Sequence, residues 1–513
     1  IKIDHLCIFL LFKIKRCYMK NRKVYLIISI IIFVFISTII FYKENEVLDD
    51  TSKKNPKPKS NLLTMMVETE AGSNTYEEED SDGWKSDGYV FNESKSGCLN
   101  GTKISYDKNT KEVVLIGESS DKCYVYFDLE AYSNISEVCQ DKDNLAECIK
   151  NLRNKSSSKL TNIYYHDANL TNGAGDNSYR YAGGDFKLTS KATSEGLNTL
   201  GTDNDTSTDG LINFYCGTTK SFLGNSCTED THYYTLQYDT TNTQYQTYEE
   251  VLNKAVNDGY LTKDNVKNFL CFATEEDSCP TDNLYRIIGV FDNKVKVIKW
   301  DFARANLLGE DGDYASISTQ FFSADRGENP NNHIDYRWNY KSDTTINSGN
   351  GSHIWSTSLL NTVNLNKNYL TNIGDTWANK IATSYWKVSG NASSGIMYAP
   401  AKTAYQNEIV SPSDTLTTET YEAKIGLFYP SDYGFATDQS NWTENLVTYN
   451  KAAIYGTNWM YSGYGEWSLT PRTDYETYVF YVRYNGFVGS NYATYLHGIR
   501  PVFFLDKDIT YKS

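Results

Sequence analysis

The sequence predicts a β-rich protein of the α+β class that follows an N-terminal transmembrane helix. Three features of the 513 residues support this prediction. An uncharged apolar run, Val24–Tyr42, is long enough to cross the roughly 30 Å hydrocarbon core of a bilayer as one helix. Short alternating segments bounded by turn residues recur after it and are typical of strands. Tyrosine occurs 42 times, which also favours strands.

The apolar run also predicts the orientation of the chain. A basic cluster at residues 20–23 precedes it, so residues 1–23 are expected in the cytoplasm and the chain after Tyr42 outside the cell. No small-x-small cleavage site follows the run, which favours an uncleaved signal-anchor over a cleaved secretory signal. Met19 directly precedes the basic cluster, and residues 1–18 are therefore a candidate for sequence upstream of the translated start.

Composition divides the outer part into four regions. Residues 43–60 are rich in Lys and Pro, which predicts an extended, solvated linker. Residues 61–130 are expected to form a small β domain, and residues 131–283 a cysteine-containing middle region. Residues 284–513 are expected to form a C-terminal domain that holds together without cysteine.

The small β domain is predicted from three strand-like segments. Ile104 and Tyr106 alternate with polar residues, and residues 107–110 supply a turn. Glu112–Ile116 then returns as a second strand, and Cys123–Phe127 is the third. A bridge between Cys98 and the third strand would join neighbouring strands.

The middle region contains two predicted helices separated by polar sequence. The second lies around Tyr248–Asn257. Between the helices, the acidic segment Thr202–Gly210 lacks the terminal acidic ligand of an EF-hand loop, which favours a solvated loop over a calcium site. The first helix begins after Asp143 and is predicted from apolar residues at i, i+3, i+4 and i+7, namely Leu145, Cys148, Ile149 and Leu152.

The C-terminal domain begins with a strong hairpin signal. Tyr285–Phe291 turns at the Asp-Asn pair 292–293 into Lys294–Trp300. Two helices are predicted next, one carrying Leu359, Leu360 and Val363, and one capped by Asp375 with Trp377 and Ile381 on one face. Short strands are predicted at Ile425–Phe428, Trp467–Leu469, Tyr478–Tyr484 and Val502–Leu505.

Cysteine usage agrees with an extracellular location. Eight cysteines follow the apolar run as close neighbours, and neighbour pairing is the simplest of the possible disulfide patterns. Zinc is the competing interpretation, but there is no C-x2-C pair and His166 and His232 lie at no ligand-like spacing, so neither a metal nor another cofactor is expected. The predicted disulfides are Cys98 with Cys123, Cys139 with Cys148, Cys216 with Cys227, and Cys271 with Cys279.

The charge distribution excludes one class of partner. The net charge is −15, and the basic residues beyond the N-terminus are dispersed. Nucleic-acid binding needs a basic footprint that displaces counterions from the phosphate backbone. No nucleic-acid partner is therefore expected.

Four blocks in the C-terminal domain resemble a domain family of unknown function. They are Tyr285–Gly289, Trp355–Asn361, Trp467–Arg472 and Gly498–Leu505. The family is common in surface proteins of Gram-positive gut bacteria, and its blocks typically read W-R-V-L, S-x-L-R-x-W-L-N, W-L-R-S-P and G-V-R-P-A-L-W-L. The resemblance covers roughly residues 284–507 and implies a membrane-anchored surface protein.

One block departs from the family pattern, because Arg472 follows the proline instead of preceding the serine. The layout of a hairpin, two helices and a loop-rich β region is similar to C-type-lectin-like folds. Enzymes with that shape that modify sulfatases use cysteine chemistry, and this domain has no cysteine. The likeness implies a fold and does not assign a function.

Sequence motifs do not identify a catalytic site. The chain lacks G-x-S-x-G, H-E-x-x-H and P-loop motifs. His333, His353 and His497 lie in loop-like stretches and are expected to be structural or solvated. A cell-envelope enzyme that acts on wall polymers or glycans stays open as an alternative function.

The C-terminal region is instead predicted to carry a binding surface for glycans or proteins. Aromatic rings supply flat contact area, and Arg and Asn supply directional hydrogen bonds. The competing interpretation is that alternate members face the core, and half of them are expected there. The predicted ligand-binding residues are Trp459, Tyr461, Tyr464, Tyr475, Tyr478, Tyr481, Arg483, Tyr484, Asn485, Asn491, Tyr492 and Tyr495.

Overall fold

A computed structural model gives the fold of most of the chain after residue 62. Its described residues fall into two compact units: unit 1 lies within 63–66, 78–79 and 91–126, and unit 2 within 67–77, 88–90 and 127–512. The described residues are 63–79, 88–107, 109–110, 112–117, 120–194, 256–263, 266–276, 278–318, 333–340, 351–412, 420–449, 457–462, 465–483 and 486–512, together with the strands at 212–216, 221–222 and 232–236.

The protein is β-rich and belongs to the α+β class, as predicted. Short strands outnumber helical segments, and they are distributed over several sheets. In chain order the strands are β1 Leu63–Glu68, β2 Tyr76–Glu79, β3 Tyr89–Phe91, β4 Gly97–Cys98, β5 Lys103–Asp107, β6 Glu112–Ile116, β7 Cys123–Leu129, β8 Ile163–Tyr165, β9 Tyr179–Tyr181, β10 Phe186–Leu188, β11 Ile212–Cys216, β12 Ser221–Phe222, β13 His232–Leu236, β14 Leu261–Lys263, β15 Phe269–Cys271, β16 Leu284–Phe291, β17 Lys294–Lys299, β18 Tyr314–Ser318, β19 His333–Arg337, β20 Ser384–Lys387, β21 Thr420–Ala423, β22 Ile425–Gly426, β23 Glu466–Pro471, β24 Tyr478–Val482, β25 Val488–Tyr492, β26 Leu496–His497 and β27 Val502–Phe504.

Most of the helices are short. The α-helices are α1 Leu145–Asn154, α2 Ser158–Thr161, α3 Ser190–Ser194, α4 Ala305–Leu308, α5 Leu370–Asn372, α6 Asp375–Ala378, α7 Ser393–Ile396, α8 Ala401–Tyr405 and α9 Pro430–Phe435. Among the described residues, two segments have π-helical hydrogen bonding, Leu360–Tyr369 and Gln406–Val410. Single 3-10 turns occur at Ile135–Glu137, Thr281–Asn283, Trp355–Thr357, Gln439–Asn441 and Leu446–Thr448.

Unit 1 confirms the three strands predicted for the small β domain. Strands β5 and β6 pair as an antiparallel hairpin, and the alternating Ile104 and Tyr106 are the half-buried residues of β5. The third predicted strand, β7, pairs with β4 at Gly97–Cys98. Cys98 lies directly opposite Cys123 in this pairing, and their disulfide joins the two strands.

Unit 2 contains a seven-stranded sheet with the order β22-β27-β17-β16-β9-β8 and with β15 also on β16. The predicted hairpin at its centre is confirmed. Its two turn residues, Asp292 and Asn293, both have left-handed backbone conformations, as a tight hairpin turn requires. A bulge follows Ile287. There Gly289 is necessary because a Cβ would lie 2.2 Å from the carbonyl oxygen of Tyr179 on β9.

The sheet takes strands from both sides of the boundary predicted at residue 284. Strands β8, β9 and β15 precede that residue, and one hydrophobic core includes buried residues from both sides. Helix α1 contributes the apolar face predicted for it, because Leu145, Ile149 and Leu152 are all buried. The side chain of Asn144 caps the helix by accepting a hydrogen bond from the Glu147 N–H.

Two predicted helices differ from expectation in detail. The helix expected near Leu359 begins as the π-helical segment Leu360–Tyr369. The prediction that Asp375 caps the next helix is wrong, because Gly374 is the cap and Asp375 is the first helical residue. Gly374 has a φ of 83°, a conformation that glycine adopts without steric cost. Ile381 lies beyond this helix and is buried in the core, whereas Trp377 packs at the core's edge.

Three of the four predicted disulfides are confirmed, namely Cys98–Cys123, Cys139–Cys148 and Cys271–Cys279. The fourth pair, Cys216 with Cys227, lies outside the side chains that the structure describes, as does the segment Thr202–Gly210. In the described part of the chain, two clusters contain side chains of the kind that bind metal ions. Each cluster consists of the two cysteines of a disulfide, Cys98–Cys123 or Cys139–Cys148, and one nearby aspartate. Their sulfur atoms are bonded to each other and are not thiolate ligands.

No helix among the described residues is long and apolar enough to span a membrane. The predicted membrane run Val24–Tyr42 lies outside those residues, as do residues 1–23 and the linker 43–60.

A cluster of buried charges lies beside the seven-stranded sheet, which we call the central sheet. Lys296 of β17 and Arg180 of β9 both approach the carboxylate of Asp432 in α9, at 2.5 Å and 3.6 Å. Glu408 lies near them, and both of its carboxylate oxygens accept hydrogen bonds, from Ser431 N–H and from the Thr470 hydroxyl. Burial raises the pKa of Glu408 to about 7.

Because the pKa of Glu408 is raised, its ionisation is predicted to lower the free energy of unfolding as the pH rises. The folded pKa is raised, so the stability that protonated Glu408 contributes is present below pH 4.5 and is lost as the pH rises towards 7. We expect Glu408→Gln to match the wild type at pH 4.5 and to exceed its free energy of unfolding at pH 8 by up to about 3 kcal/mol. Urea denaturation at the two pH values measures this difference. The exposed Glu422→Gln is the control, and equal effects of both substitutions would contradict the prediction.

Candidate functional site

The C-terminal three-stranded sheet β23-β24-β25 and the turns that flank its strands carry most of the predicted ligand-binding residues that the structure describes. Tyr478 lies opposite Tyr492, and Tyr481 lies opposite Gly489. Because alternate residues of a strand face opposite sides of a sheet, Tyr478 and Tyr492 share one face, whereas Tyr481 and Asn491 share the other.

Four tyrosines form a continuous row on the first face, which we name the tyrosine ladder: Tyr475, Tyr478, Tyr492 and Tyr495. The centroids of successive rings lie 5.3, 4.3 and 5.7 Å apart. The two end residues occupy turns that flank the strands and are 54% and 51% exposed, whereas the two central rings are half-buried. The ladder therefore offers aromatic area to solvent at both ends and is supported by ring contacts between them.

Arg472 holds one end of the ladder in place. Its guanidinium donates two hydrogen bonds of 2.8 Å to the carboxylate of Asp474 and one of 3.0 Å to the Ser490 hydroxyl. The same group lies 4.4 Å from the ring centre of Tyr475 and 5.5 Å from that of Tyr478. The Asp474 hydrogen bonds raise the pKa of Arg472 and lower that of Asp474. The pair is partly exposed and adds little to stability, so its effect is to fix the position of the cation.

The backbone around Arg472 is fixed by a close approach of another loop. A Cβ on Gly390 would lie 1.8 Å from the carbonyl oxygen of Pro471, so only glycine fits there. Thr473 N–H donates to the carbonyl of Asn391, and the His353 ring nitrogen Nδ1 lies 3.0 Å from the carbonyl oxygen of Arg472. His353 is 2% exposed, so of the two predicted settings, structural or solvated, it has the buried one.

Within the ladder, the Tyr492 hydroxyl raises the pKa of Tyr478 to about 12, with partial burial adding to the effect. The Tyr478 hydroxyl therefore stays protonated and uncharged throughout the physiological pH range. It can donate as well as accept a hydrogen bond there.

The opposite face of the sheet is closed by His497. Its ring stacks on Tyr481 at a centroid distance of 4.3 Å and packs edge-on against Trp467 at 4.5 Å. The Asn491 side-chain amide lies 3.2 Å from its Nε2. Burial, with a smaller contribution from the charge of Arg483, lowers the pKa of His497 to about 3. Tyr481 and Asn491 therefore support this packing and do not extend the ladder.

The other predicted ligand-binding residues lie elsewhere. Trp459 is 2% exposed, and its indole N–H donates to the Tyr181 carbonyl, which makes it a core residue. Tyr461 is also buried, whereas Arg483 is half-buried with its guanidinium over the ring of Phe487. Three predicted residues lie outside the part of the chain that the structure describes: Tyr464, Tyr484 and Asn485. His333 lies in strand β19, and its side chain is outside the described set.

Arg472, which lies beside one end of the ladder, was not predicted as a ligand contact. In the sequence, its position in the Trp467–Arg472 block indicates only a departure from a family pattern. The available signal was its place three residues before Tyr475, in a segment that leads into a tyrosine-rich strand. Comparison of the chain with known protein families, with characterised proteins and with solved structures finds no match.

The packing of His497 predicts that its imidazole stays neutral well into the acidic range. Because its folded pKa lies below the usual value, the stability it contributes is present above pH 6.5 and is lost as the pH falls towards 3. We expect one histidine resonance in selectively labelled protein to titrate near pH 3 and to be absent from His497→Gln. This assignment separates it from His166, whose pKa is also lowered by burial. A midpoint for His497 near 6.5 would show that the ring is open to water.

Proposed function

We propose that this chain is a membrane-anchored extracellular binding protein that recognises its ligand through the tyrosine ladder and Arg472. The apolar run Val24–Tyr42 would anchor it in the cell membrane as a single-pass protein, with the C-terminal part outside. Three disulfides support an oxidising location. The lectin-like architecture of residues 284–513 is part of the same proposal and rests on the resemblance of the four sequence blocks.

The observation that carries the proposal is the fixed row of four rings, exposed at both ends, beside a fixed cation. Tyr, Trp and Arg are the residues enriched at the energetic centres of protein interfaces. A tyrosine ring supplies a large contact area and loses little conformational entropy when it binds. Here that loss is reduced further, since ring contacts and the Asp474 hydrogen bonds already order Tyr475 and Arg472 before a ligand arrives.

The ring geometry favours a protein ligand over a glycan. Successive ring planes are inclined at 58°, 45° and 76°, so the ladder is a ridged surface and not one flat platform. A flat platform would suit the faces of consecutive sugar rings, whereas a ridged surface of rings and hydroxyls suits the uneven side chains of a protein. A glycan ligand is the alternative outcome of the experiment below.

The envelope-enzyme alternative gains no support from the described carboxylates. Glu408 is the glutamate whose pKa burial brings near neutrality, which is the range useful for acid–base catalysis. It is fully buried, however, and both of its oxygens are occupied by Ser431 and Thr470. Its arrangement is that of a core residue.

The test is a binding screen of the full chain, in a mild detergent, against arrays of extracellular proteins and of glycans. We expect a protein ligand, and we expect the double variant Tyr475→Ser/Tyr495→Ser to weaken its binding by at least about 30-fold, the effect typical of interface hot spots. Tyr385→Ser is the matched control, because Tyr385 is 72% exposed on another sheet.

Equal loss of binding in the ladder variant and the Tyr385 control, or no loss in either, would exclude the ladder as the binding surface. Binding only to glycans, with loss in the ladder variant, would retain the surface and overturn the choice of a protein ligand. A screen with no ligand of either class would contradict the proposed function itself.

A further inference from the structure

A pocket in unit 2, remote in sequence from the tyrosine ladder, is lined by charges of both signs. Its volume is about 490 Å³, which is within the usual range of roughly 300–1,000 Å³ for small-molecule sites. Its lining includes Glu70, Glu130, Tyr132, Arg153 and Lys155, and we name it the polar pocket.

The two cations of the polar pocket come from the end of helix α1. Arg153 is half-buried and donates from Nη1 to the carbonyl of Ser156 at 3.0 Å, which holds the guanidinium in place. Among the described residues, this is the only hydrogen bond that its side chain makes, and its Nε is buried without an acceptor. A guanidinium has five N–H donors, so the described residues use only a small part of its capacity. The ammonium of Lys155 lies 5.8 Å from the ring centre of Tyr132.

The two carboxylates of the pocket, those of Glu70 and Glu130, lie on other segments of the chain. The buried side chain of Glu68 links these two segments. Its carboxylate accepts hydrogen bonds from Asn74 N–H at 2.8 Å and from Leu129 N–H at 3.1 Å. It thereby connects the turn that carries Glu70 to the strand end that carries Glu130. A Cβ on Gly72 in that turn would lie 2.9 Å from Leu160, so the turn also packs against helix α2. The walls of the pocket are thus fixed by interactions other than its own charges.

The opposite charges that line this pocket form no direct ion pair with one another in the described part of the chain. Within the described part of the chain, neither Arg153 nor Lys155 forms an ion pair with Glu70 or Glu130. Glu130 instead accepts a hydrogen bond from the Tyr132 hydroxyl. The pocket therefore presents two cations and two carboxylates that are not paired directly with one another, and a ligand with both charges could contact both kinds of group.

From this arrangement we propose that the polar pocket binds a small zwitterion, of the size of an amino acid or dipeptide. The carboxylate of the ligand pairs with Arg153 and Lys155, since charge-assisted hydrogen bonds to a guanidinium are the strongest available there. Its ammonium group pairs with Glu70 and Glu130. This site is independent of the tyrosine ladder and does not rest on the function proposed for it.

Three probes with one skeleton test the proposal by calorimetry on the full chain in a mild detergent. Glycylglycine carries both charges, N-acetylglycylglycine only the carboxylate, and glycylglycinamide only the ammonium group. We expect saturable binding of glycylglycine at millimolar concentrations or below, and at least about tenfold weaker binding of each analogue, since each loses one charge-assisted interaction. Equal binding of the three probes, or no binding of glycylglycine, would overturn the proposal.

Substitutions locate the binding in the pocket. We expect Lys155→Met and Glu130→Gln each to weaken glycylglycine binding at least about fivefold, with Arg153→Met as strong or stronger. Lys159→Met is the matched control, because Lys159 is an exposed lysine of helix α2 that does not line the pocket. If Arg153→Met lowers the melting temperature, the glycylglycine binding of Lys155→Met decides the outcome, because Lys155 is exposed. Unchanged binding in Lys155→Met and Glu130→Gln would place the dipeptide elsewhere, and the variant Tyr475→Ser/Tyr495→Ser should retain it.

Discussion

The buried pair of Arg500 and Glu466 is the interaction on which the proposed binding surface depends. The two side chains are 1% and 0% exposed, and the guanidinium donates to both carboxylate oxygens, at 2.6 and 2.5 Å. Glu466 is the first residue of β23, and Arg500 lies just before β27 of the central sheet. The pair therefore ties the sheet that carries the ladder to the core. Removing one partner would leave the other charge buried and unpaired, which typically costs about 3–5 kcal/mol.

Cations buried beneath aromatic rings recur through unit 2. Arg286 pairs with Asp185 at 2.7 Å, and the rings of Phe269, Trp300 and Trp459 lie 4.3, 5.0 and 4.8 Å from its guanidinium carbon. Such rings attract a cation through their negative faces and also exclude water from it. The aromatic richness of the chain therefore has two uses. Part of it covers buried charges in the core, and part forms the surface ladder.

Local sequence signals predicted the local structure well. The central hairpin, helix α1 and three disulfides were all predictable, since each depends on residues within about 25 positions of one another. The residues of the proposed binding surface were predicted only in part. Strand alternation separates Tyr478 from Tyr481, but tertiary packing alone decides that Trp459 is buried and that Arg472 meets the ladder. The π-helical turns after Leu359 likewise have no signal in the apolar periodicity.

The central claim is that the tyrosine ladder is the face of this protein that meets its ligand. Photo-crosslinking on intact cells tests it most directly. A benzophenone amino acid replaces Tyr475 in one version of the full chain and the exposed Tyr385 in another. We expect a discrete crosslinked product from position 475 and none from position 385. Crosslinking of the same partner from position 385, with none from 475, would contradict it.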